Sequence, residues 1–292
     1  MQNDSTRRFL FEHFDIRGEL TQLDQSYTDL LSTHHYPAPI ARLLGEFASA
    51  AVLLSSNIKF EGRLSLQSRG SGPLPLLMVE CTSEQCVRGL AQMSNQPVPS
   101  DFQQLLSSGT LALTIEPDRG ERYQGIVPLQ GTALAECLQY YFRQSEQVET
   151  RFILAADDAR AAGVMLQQLP RQLVAEEEAR TRQWEHVTTL LHTLTPAELL
   201  TLAPEAILRR LYHEDVVRLY PPRPVQYRCS CSSSRSAKAL RLLGRAEIDA
   251  ILAEQGQLEM TCEFCNQVYR FDRGTIAAAF DDAAGDRADP LH

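Results

Sequence analysis

The sequence predicts an α+β protein in three parts: an N-terminal α/β core domain over about 1–170, a helical linker over 171–225, and a small C-terminal domain over 226–292. Three observations predict it. Alternating apolar runs broken by Gly and Pro turns surround one long helical repeat in the first part. Charge-rich helical spacing ended by prolines fills the second, and paired cysteines dominate the third.

Taken in order, Phe9, Phe11, Phe14 and Ile16 read as extended chain, with Gly18 as a break. From Pro37 to Asn57, Ile40, Leu43, Leu44, Phe47, Ala51 and Leu54 recur at helical spacing, with prolines suited to a first turn. Arg63–Leu66, a turn at Arg69-Gly70-Ser71-Gly72-Pro73, and Leu76–Val79 predict a hairpin. A second hairpin joins Leu111–Ile115 to Tyr123–Leu129 through Asp118-Arg119-Gly120, followed by a helix over Ala133–Ser145 and a strand over Arg151–Leu154. In the linker, Trp184, Val187, Leu190 and Leu191 follow an acidic start. Thr195-Pro196-Ala197-Glu198 is a capping box, and a further helix runs from Pro204 to about Leu219 before Pro221, Pro222 and Pro224. These apolar stripes are narrow, so the helices depend on neighbours for stability.

A length of 292 residues is enough for about two domains with a substantial core, and 43% hydrophobic with 22% charged residues is ordinary for a globular chain. The net charge of −9 gives no general attraction to nucleic acid or anionic membrane. No apolar run approaches the ~18 residues of a bilayer span. Phe9-Leu10-Phe11 is interrupted at once by Glu12 and His13, so no signal-peptide core forms. The expectation is a cytoplasmic protein without membrane or nucleic-acid partners.

Seven cysteines are present, an odd number that argues against a fully paired secreted framework. Cys229-Ser230-Cys231 supplies one pair and Cys262-Glu263-Phe264-Cys265 another, separated by the thirty residues 232–261. Zinc takes four tetrahedral ligands, and four thiolates make a closed structural site. Leu258–Thr261 and Gln267–Phe271 are candidate strands flanking the second pair. Between the pairs, Ala239, Leu240, Leu242, Leu243, Ile248, Ile251 and Leu252 predict helix ending at Gly256, able to fold back and join them. A domain this small gains a clear benefit from a metal staple. A thioredoxin-like use of Cys262 and Cys265 is the chemical rival, but the flanking residues look like a knuckle rather than a helix N-terminus. Cys81, Cys86 and Cys137 sit among apolar residues and read as small core side chains.

Other motifs fail. Gly70-Ser71-Gly72 lacks the third glycine of a dinucleotide loop, no Gly-Lys-Ser/Thr occurs, and His213-Glu214-Asp215 lacks the second histidine of a zinc protease. His34-His35 reads as an exposed loop pair. With no nucleophile–base arrangement, the chain is not expected to be an enzyme.

The two cysteine pairs at this separation resemble the heat-shock protein 33 family. The likeness extends to Arg8-Phe9-Leu10-Phe11, Arg17-Gly18-Glu19-Leu20, Leu43-Leu44-Gly45-Glu46, Lys59-Phe60-Glu61-Gly62, Tyr123-Gln124-Gly125-Ile126-Val127 and Tyr141-Phe142-Arg143-Gln144-Ser145-Glu146-Gln147. The resemblance implies a redox-regulated, ATP-independent chaperone of the holdase type. In it Cys229, Cys231, Cys262 and Cys265 bind one Zn2+ per chain when reduced. Oxidation would pair Cys229 with Cys231 and Cys262 with Cys265, and the oxidised homodimer would hold unfolding client proteins. Cys81 and Cys86 lie outside that four-cysteine pattern.

Zinc loss should unfold the tail, because structural zinc is worth about 10–16 kcal/mol against whole-domain stabilities of about 5–15 kcal/mol. If the linker helices rest on the tail they would melt too, uncovering Leu190, Leu191, Leu199, Leu200, Ile207 and Leu211. The alternative from another class is a zinc-ribbon nucleic-acid-binding protein, which predicts a basic tail. Here Arg228, Arg235, Lys238, Arg241, Arg245, Arg270, Arg273 and Arg287 are slightly outnumbered by acidic residues.

Overall fold

A hairpin opens the chain: β1 (Ser5–Phe11) pairs antiparallel with β2 (Ile16–Leu23). Gly18 is not a break but lies inside β2 opposite Phe9, whose ring occupies the space a Cβ would need, 2.0 Å from it. Next come α1 (Gln25–Ser32) and α2 (Ala38–Asn57), then β3 (Gly62–Gly70), β4 (Leu76–Thr82), β5 (Cys86–Gln92), α3 (Phe102–Leu106), β6 (Gly109–Pro117) and β7 (Tyr123–Pro128). Both predicted hairpins are present as β3–β4 and β6–β7. α4 (Leu134–Tyr141) widens into a π turn over Phe142–Glu146 before β8 (Thr150–Ala156) and β9 (Ala161–Gln168). The computed structural model describes residues 4–57, 61–240 and 243–276. Lys59, Phe60, Leu242 and the tail expected to fray beyond Phe280 lie outside the described residues.

Two sheets result, ordered β8-β9-β2-β1 and β7-β6-β3-β4-β5 through these strands, all with antiparallel pairing. α2 packs against both sheets. Its buried run Leu43, Leu44, Phe47, Ala48, Ala51 and Leu54 meets Leu64, Leu66 and Val79 of one sheet and Phe152 and Met165 of the other, forming one core. A helix apolar all round is a buried helix. α2 is also long and apolar enough to cross a membrane by length and composition, with mean hydropathy 1.3, but 78% of that window is buried inside the fold.

The outer face of the first sheet carries the linker helices, α5 (Glu177–Leu191), α6 (Pro196–Thr201) and α7 (Pro204–Tyr212). Trp184, Val187, Leu191, Leu199, Ile207 and Leu211 are buried against Phe9, Phe11, Ile16, Leu20, Val164 and Leu166, while Leu190 and Leu200 pack at the margin. The neighbour these helices need is this sheet. Fully burying each such side chain contributes about 1.5–3 kcal/mol, which helices of 15, 6 and 9 residues require to persist. Polar contacts fix the register. The Thr195–Glu198 capping box is formed in full, and Gln22 Nε2 donates to the carbonyls of Leu199 and Leu202 at 3.0 and 2.8 Å.

At the start of the linker, the buried Asp15 carboxylate accepts from the backbone N–H groups of Gln172, Leu173 and Val174 and from Arg180 Nη1 at 2.7 Å. Arg180 Nη2 also donates to the Leu169 carbonyl, at 2.9 Å. Burial by itself would raise the Asp15 pKa, yet these donors and the guanidinium outweigh it and hold the carboxyl below its ordinary value.

The final predicted linker helix ends early, at Tyr212 rather than near Leu219. Val216 is exposed, and β10 (Val217–Leu219) joins the edge of the first sheet by pairing with Phe9–Phe11. Alternating Val217 and Leu219 on a free strand edge outweighs helical spacing. β11 (Arg223–Pro224) pairs further along β1, and β12 (Gln226–Tyr227) adds in parallel to β5 of the second sheet. These elements belong to one unit, Met1–Arg228; a second unit, Cys229–His292, follows. It contains α8 (Ser233–Leu240), α9 (Arg245–Gln255) and the antiparallel pair β13 (Leu258–Thr261) and β14 (Val268–Phe271). Gly244 at φ +85° separates the two helices, and Gly256, left-handed at φ +76°, ends the second as expected.

Asp15→Asn should cost about 3–5 kcal/mol near neutral pH by leaving Arg180 buried and unpaired, and should raise amide exchange over 170–191. The Asp15 pKa is lowered on folding. Its contribution is therefore present above the ordinary carboxylate range and lost as pH falls through the depressed value, so urea midpoints of wild type and variant should converge in acid.

Candidate metal centre

Two local structures carry the cysteines. Cys229 and Cys231 lie on an extended loop whose shape is set from α8: Ser232 Oγ accepts from the Arg235 backbone N–H at 3.2 Å, and Arg235 Nη1 donates to the Ser230 carbonyl at 2.8 Å. Cys262 and Cys265 occupy the tight turn between β13 and β14. Asn266, at φ +56°, closes it by donating its N–H to the Cys262 carbonyl at 2.8 Å, while the Cys262 N–H donates to Gln267 at 3.0 Å. Asn tolerates this left-handed backbone better than most residues. The strands are held in register by the cross-strand pair Glu259 and Arg270, with Nε to Oε1 at 2.6 Å.

The four sulfurs converge. All lie within 4.8 Å of one another, with Cys229 to Cys262 at 3.8 Å and Cys231 to Cys265 at 3.4 Å. A tetrahedral zinc ion with Zn–S bonds of ~2.3 Å sets its sulfurs ~3.8 Å apart, so this donor set fits such an ion. Only sulfur is offered, and the set is complete at four, which describes a closed structural site rather than a catalytic one with an open position.

Hydrogen bonds to the sulfurs complete the arrangement. Cys262 Sγ accepts from the N–H groups of Phe264 and Cys265, and Cys265 Sγ from that of Gln267. Tyr269 Oη donates to Cys231 Sγ at 3.1 Å. Burial pushes the thiols of Cys262 and Cys265 up, and for Cys265 hydrogen bonding from the neighbouring cysteines adds to it, although the backbone donors oppose the rise. Four thiolates this close repel one another, and a divalent cation among them reverses the balance by deprotonating its ligands outright.

The core beneath is small. Among the described residues it consists of Ala237, Leu240, Ile248, Leu252, Leu258, Phe271 and Ile276. An apolar cluster of that size does not hold two helices and a hairpin unaided.

Sequence reasoning singled out the four cysteines that meet here and both flanking strands. It missed Tyr269, Arg235 and the backbone donors, which depend on the turn's path; the one available signal was a tyrosine four residues beyond the last cysteine. The other three cysteines are elsewhere. Cys81, Cys86 and Cys137 are buried in the first unit, and burial raises Cys81 to about 12 and Cys137 to about 11. Of the expected exposed pair only His35 is exposed; His34 is half-buried and stacks on Tyr36 with ring centroids 5.5 Å apart, while the Gly70 loop packs against the Leu106 carbonyl.

Comparison with known proteins places this architecture among relatives. A sequence model described as Hsp33 protein matches residues 4–272. The chain is 50% identical over 284 residues to a 33 kDa chaperonin of Pseudomonas aeruginosa, covering 96% of each, and 52% identical over 280 residues to one of Azotobacter vinelandii, covering 95% of this chain and 94% of that one. It also resembles the crystal structure of the 33 kDa chaperonin from Thermotoga maritima. The TM-score is 0.80 at 22% identity, over 97% of this chain and 99% of the other.

Cobalt(II) titrated into the reduced protein should give thiolate-to-metal charge-transfer and tetrahedral absorption saturating at one equivalent. Losing an outer-shell partner alone costs about 10–100-fold in affinity, so Cys262→Ser should weaken binding by more than ~10-fold. In the metal-free native protein a thiol reagent should label Cys229, Cys231, Cys262 and Cys265 while sparing Cys81 and Cys137.

Proposed function

This chain belongs to the Hsp33 family, and we propose that its four-cysteine centre is an oxidation-sensitive lock on a chaperone. Chaperone function itself follows from the family and from relatives named 33 kDa chaperonin. The finer reading is a cytoplasmic, ATP-independent holdase, inactive while one zinc ion is bound by Cys229, Cys231, Cys262 and Cys265. It would be active as a homodimer toward unfolding client proteins once oxidised. It works by binding rather than by catalysing a reaction.

The observation that carries this reading is the convergence of four sulfurs over a small apolar core. Metal-bound thiolates are the species oxidants attack. For each disulfide, two thiolates lose two electrons to one peroxide, which takes up two protons and leaves as two waters. Closing Cys229–Cys231 and Cys262–Cys265 would use all four thiolates that could hold a Zn2+ ion, leaving it no donor. The apparent binding energy of structural zinc, about 10–16 kcal/mol, is lost with it, and the small C-terminal unit unfolds.

The sequence allows that the linker helices rest on the tail. Their buried face is instead on the first sheet, which changes what release would uncover. If α5–α7 lift, the apolar surface freed includes Phe9, Phe11, Ile16 and Leu20 as well as the linker's own Leu191, Leu199, Ile207 and Leu211. Chain continuity supports a link to the metal centre. Cys229 directly follows Arg228, whose N–H donates to the Val87 carbonyl at 3.1 Å beside β12, and β10–β12 are strands of two or three residues. Strands that short peel readily once the chain beyond them is disordered.

Zinc release and suppression of aggregation by a thermally unfolding client should therefore rise together after peroxide or hypochlorous acid treatment, without added nucleotide. Hydrogen exchange should rise over 175–220 in the oxidised form, and sedimentation should show a dimer. Serine at all four ligand positions should remove the oxidant response. Zinc-free reduced protein, or equal client protection before and after oxidation, would overturn the proposal.

A further inference from the structure

The four sulfurs do not receive equivalent hydrogen bonds. Those to Cys262 and Cys265 come from backbone N–H groups of the turn, and any sequence adopting that turn supplies them. The bond to Cys231 comes from a side chain. Tyr269 sits on β14 opposite Met260 of β13, its ring packed against the small core and its hydroxyl 3.1 Å from Cys231 Sγ. Along the same strand Val268 is exposed and Phe271 fully buried, so Tyr269 lies between solvent and core with its hydroxyl directed at the centre.

We propose that Tyr269 is a positioning residue that sets how readily the centre is oxidised, its hydroxyl acting as a brake on Cys231. The inference rests on the metal-centre reading above and deepens it. A hydroxyl donating to a metal-bound thiolate draws electron density from sulfur, and this lowers its nucleophilicity while relieving charge crowding around the ion. The step being slowed is attack of the Cys231 thiolate on a peroxide oxygen. The O–O bond breaks, sulfur becomes a sulfenic acid, and the departing hydroxide takes a proton to become water. A second thiolate, that of Cys229, then attacks the sulfenic sulfur. The S–S bond forms and the second hydroxide leaves as water after gaining a proton. Tyr269 keeps its own proton throughout, and its contribution ends when Cys231 is no longer a thiolate.

Because the brake is a side chain, substitution can remove or strengthen it without redesigning the turn. Tyr269→Phe retains the ring and its packing and deletes only the donor. Outer-shell partners of metal ligands are worth about 10–100-fold. The full-length, zinc-loaded Phe variant should thus release zinc to peroxide ~10-fold faster than wild type and lose a competition with a chromophoric chelator by a similar factor. Its cobalt-substituted form should show the thiolate charge-transfer band moved to lower energy. A more acidic phenol is a stronger donor, so 3-fluorotyrosine introduced at position 269 should slow release below the wild-type rate. A purely structural role would not follow that order. Release rates within twofold across the three side chains, or faster release by Phe with an unmoved band and no difference between tyrosine and fluorotyrosine, would overturn the proposal. Failure of the underlying metal reading is distinct, because there the wild-type protein itself would hold no zinc. Far-UV circular dichroism of each reduced variant guards against misfolding, and the fluorotyrosine comparison stands even if the Phe variant folds poorly.

Discussion

Among the described residues, seven buried side chains are too few to hold two helices and a hairpin, and that shortage governs the C-terminal unit. What the apolar core does not supply a metal ion could, at the sulfur centre where four cysteines from two distant segments meet within 4.8 Å. Bonds from thiolate to metal are strong, local and chemically removable. A core of leucines is none of the last, since no ordinary cellular oxidant takes it apart. Stability placed in the sulfurs can be withdrawn by a reaction, and stability placed in a core cannot. The large sandwiched core around α2 makes the contrast within one chain: there Cys81 and Cys137 are fully buried among many other apolar side chains.

The linker stands between these extremes. Its helices are individually short, and the apolar residues that hold them are shared with the outer face of the first sheet. Either partner without the other exposes apolar surface. The polar latches at its entrance, Asp15 with Arg180, and at its midpoint, Gln22 beneath the end of α6, fix where the helices sit and add no redox sensitivity. A linker held this way is ordered by its neighbours and responds to whatever disturbs its ends. Its C-terminal end runs through three minimal strands into Cys229.

Much of this was legible from residue order. Spacing alone picked out the four cysteines that converge and the β13 and β14 strands around the second pair. The Thr195–Glu198 box announced a helix start that is formed in full. The misses share a physical cause, which is that tertiary context outranks local pattern. Gly18 reads as a break, yet it is the only residue small enough to lie under the Phe9 ring. Val217–Leu219 continues a helical spacing, but an open edge on β1 recruits it as a strand. β5 and β9 went unread although each is paired through its length, because their small and apolar residues carry no period that separates strand from buried helix. Tyr269 was invisible for a different reason. A hydroxyl donor to sulfur is defined by where a side chain ends in space, and nothing in its neighbours along the chain encodes that.

One side-chain type therefore has two fates in this molecule, and environment alone decides between them. Burial without a cation disfavours the thiolate, and for Cys81, raised to about 12, the ionised fraction at neutral pH is on the order of one in 10⁵. Oxidants that require a thiolate have almost no target there, however mobile the core. A divalent cation held by the four clustered cysteines would do the opposite, keeping thiolates deprotonated at a site partly open to solvent. The proposed switch needs no recognition of the oxidant, because charge and burial alone separate the two classes of sulfur. The same reasoning suits the proposed switch to the small unit and not to the large core. A thiolate that must react has to lie where water and oxidant can reach it, and only a fold with little interior can place four of them there and still depend on them for its structure.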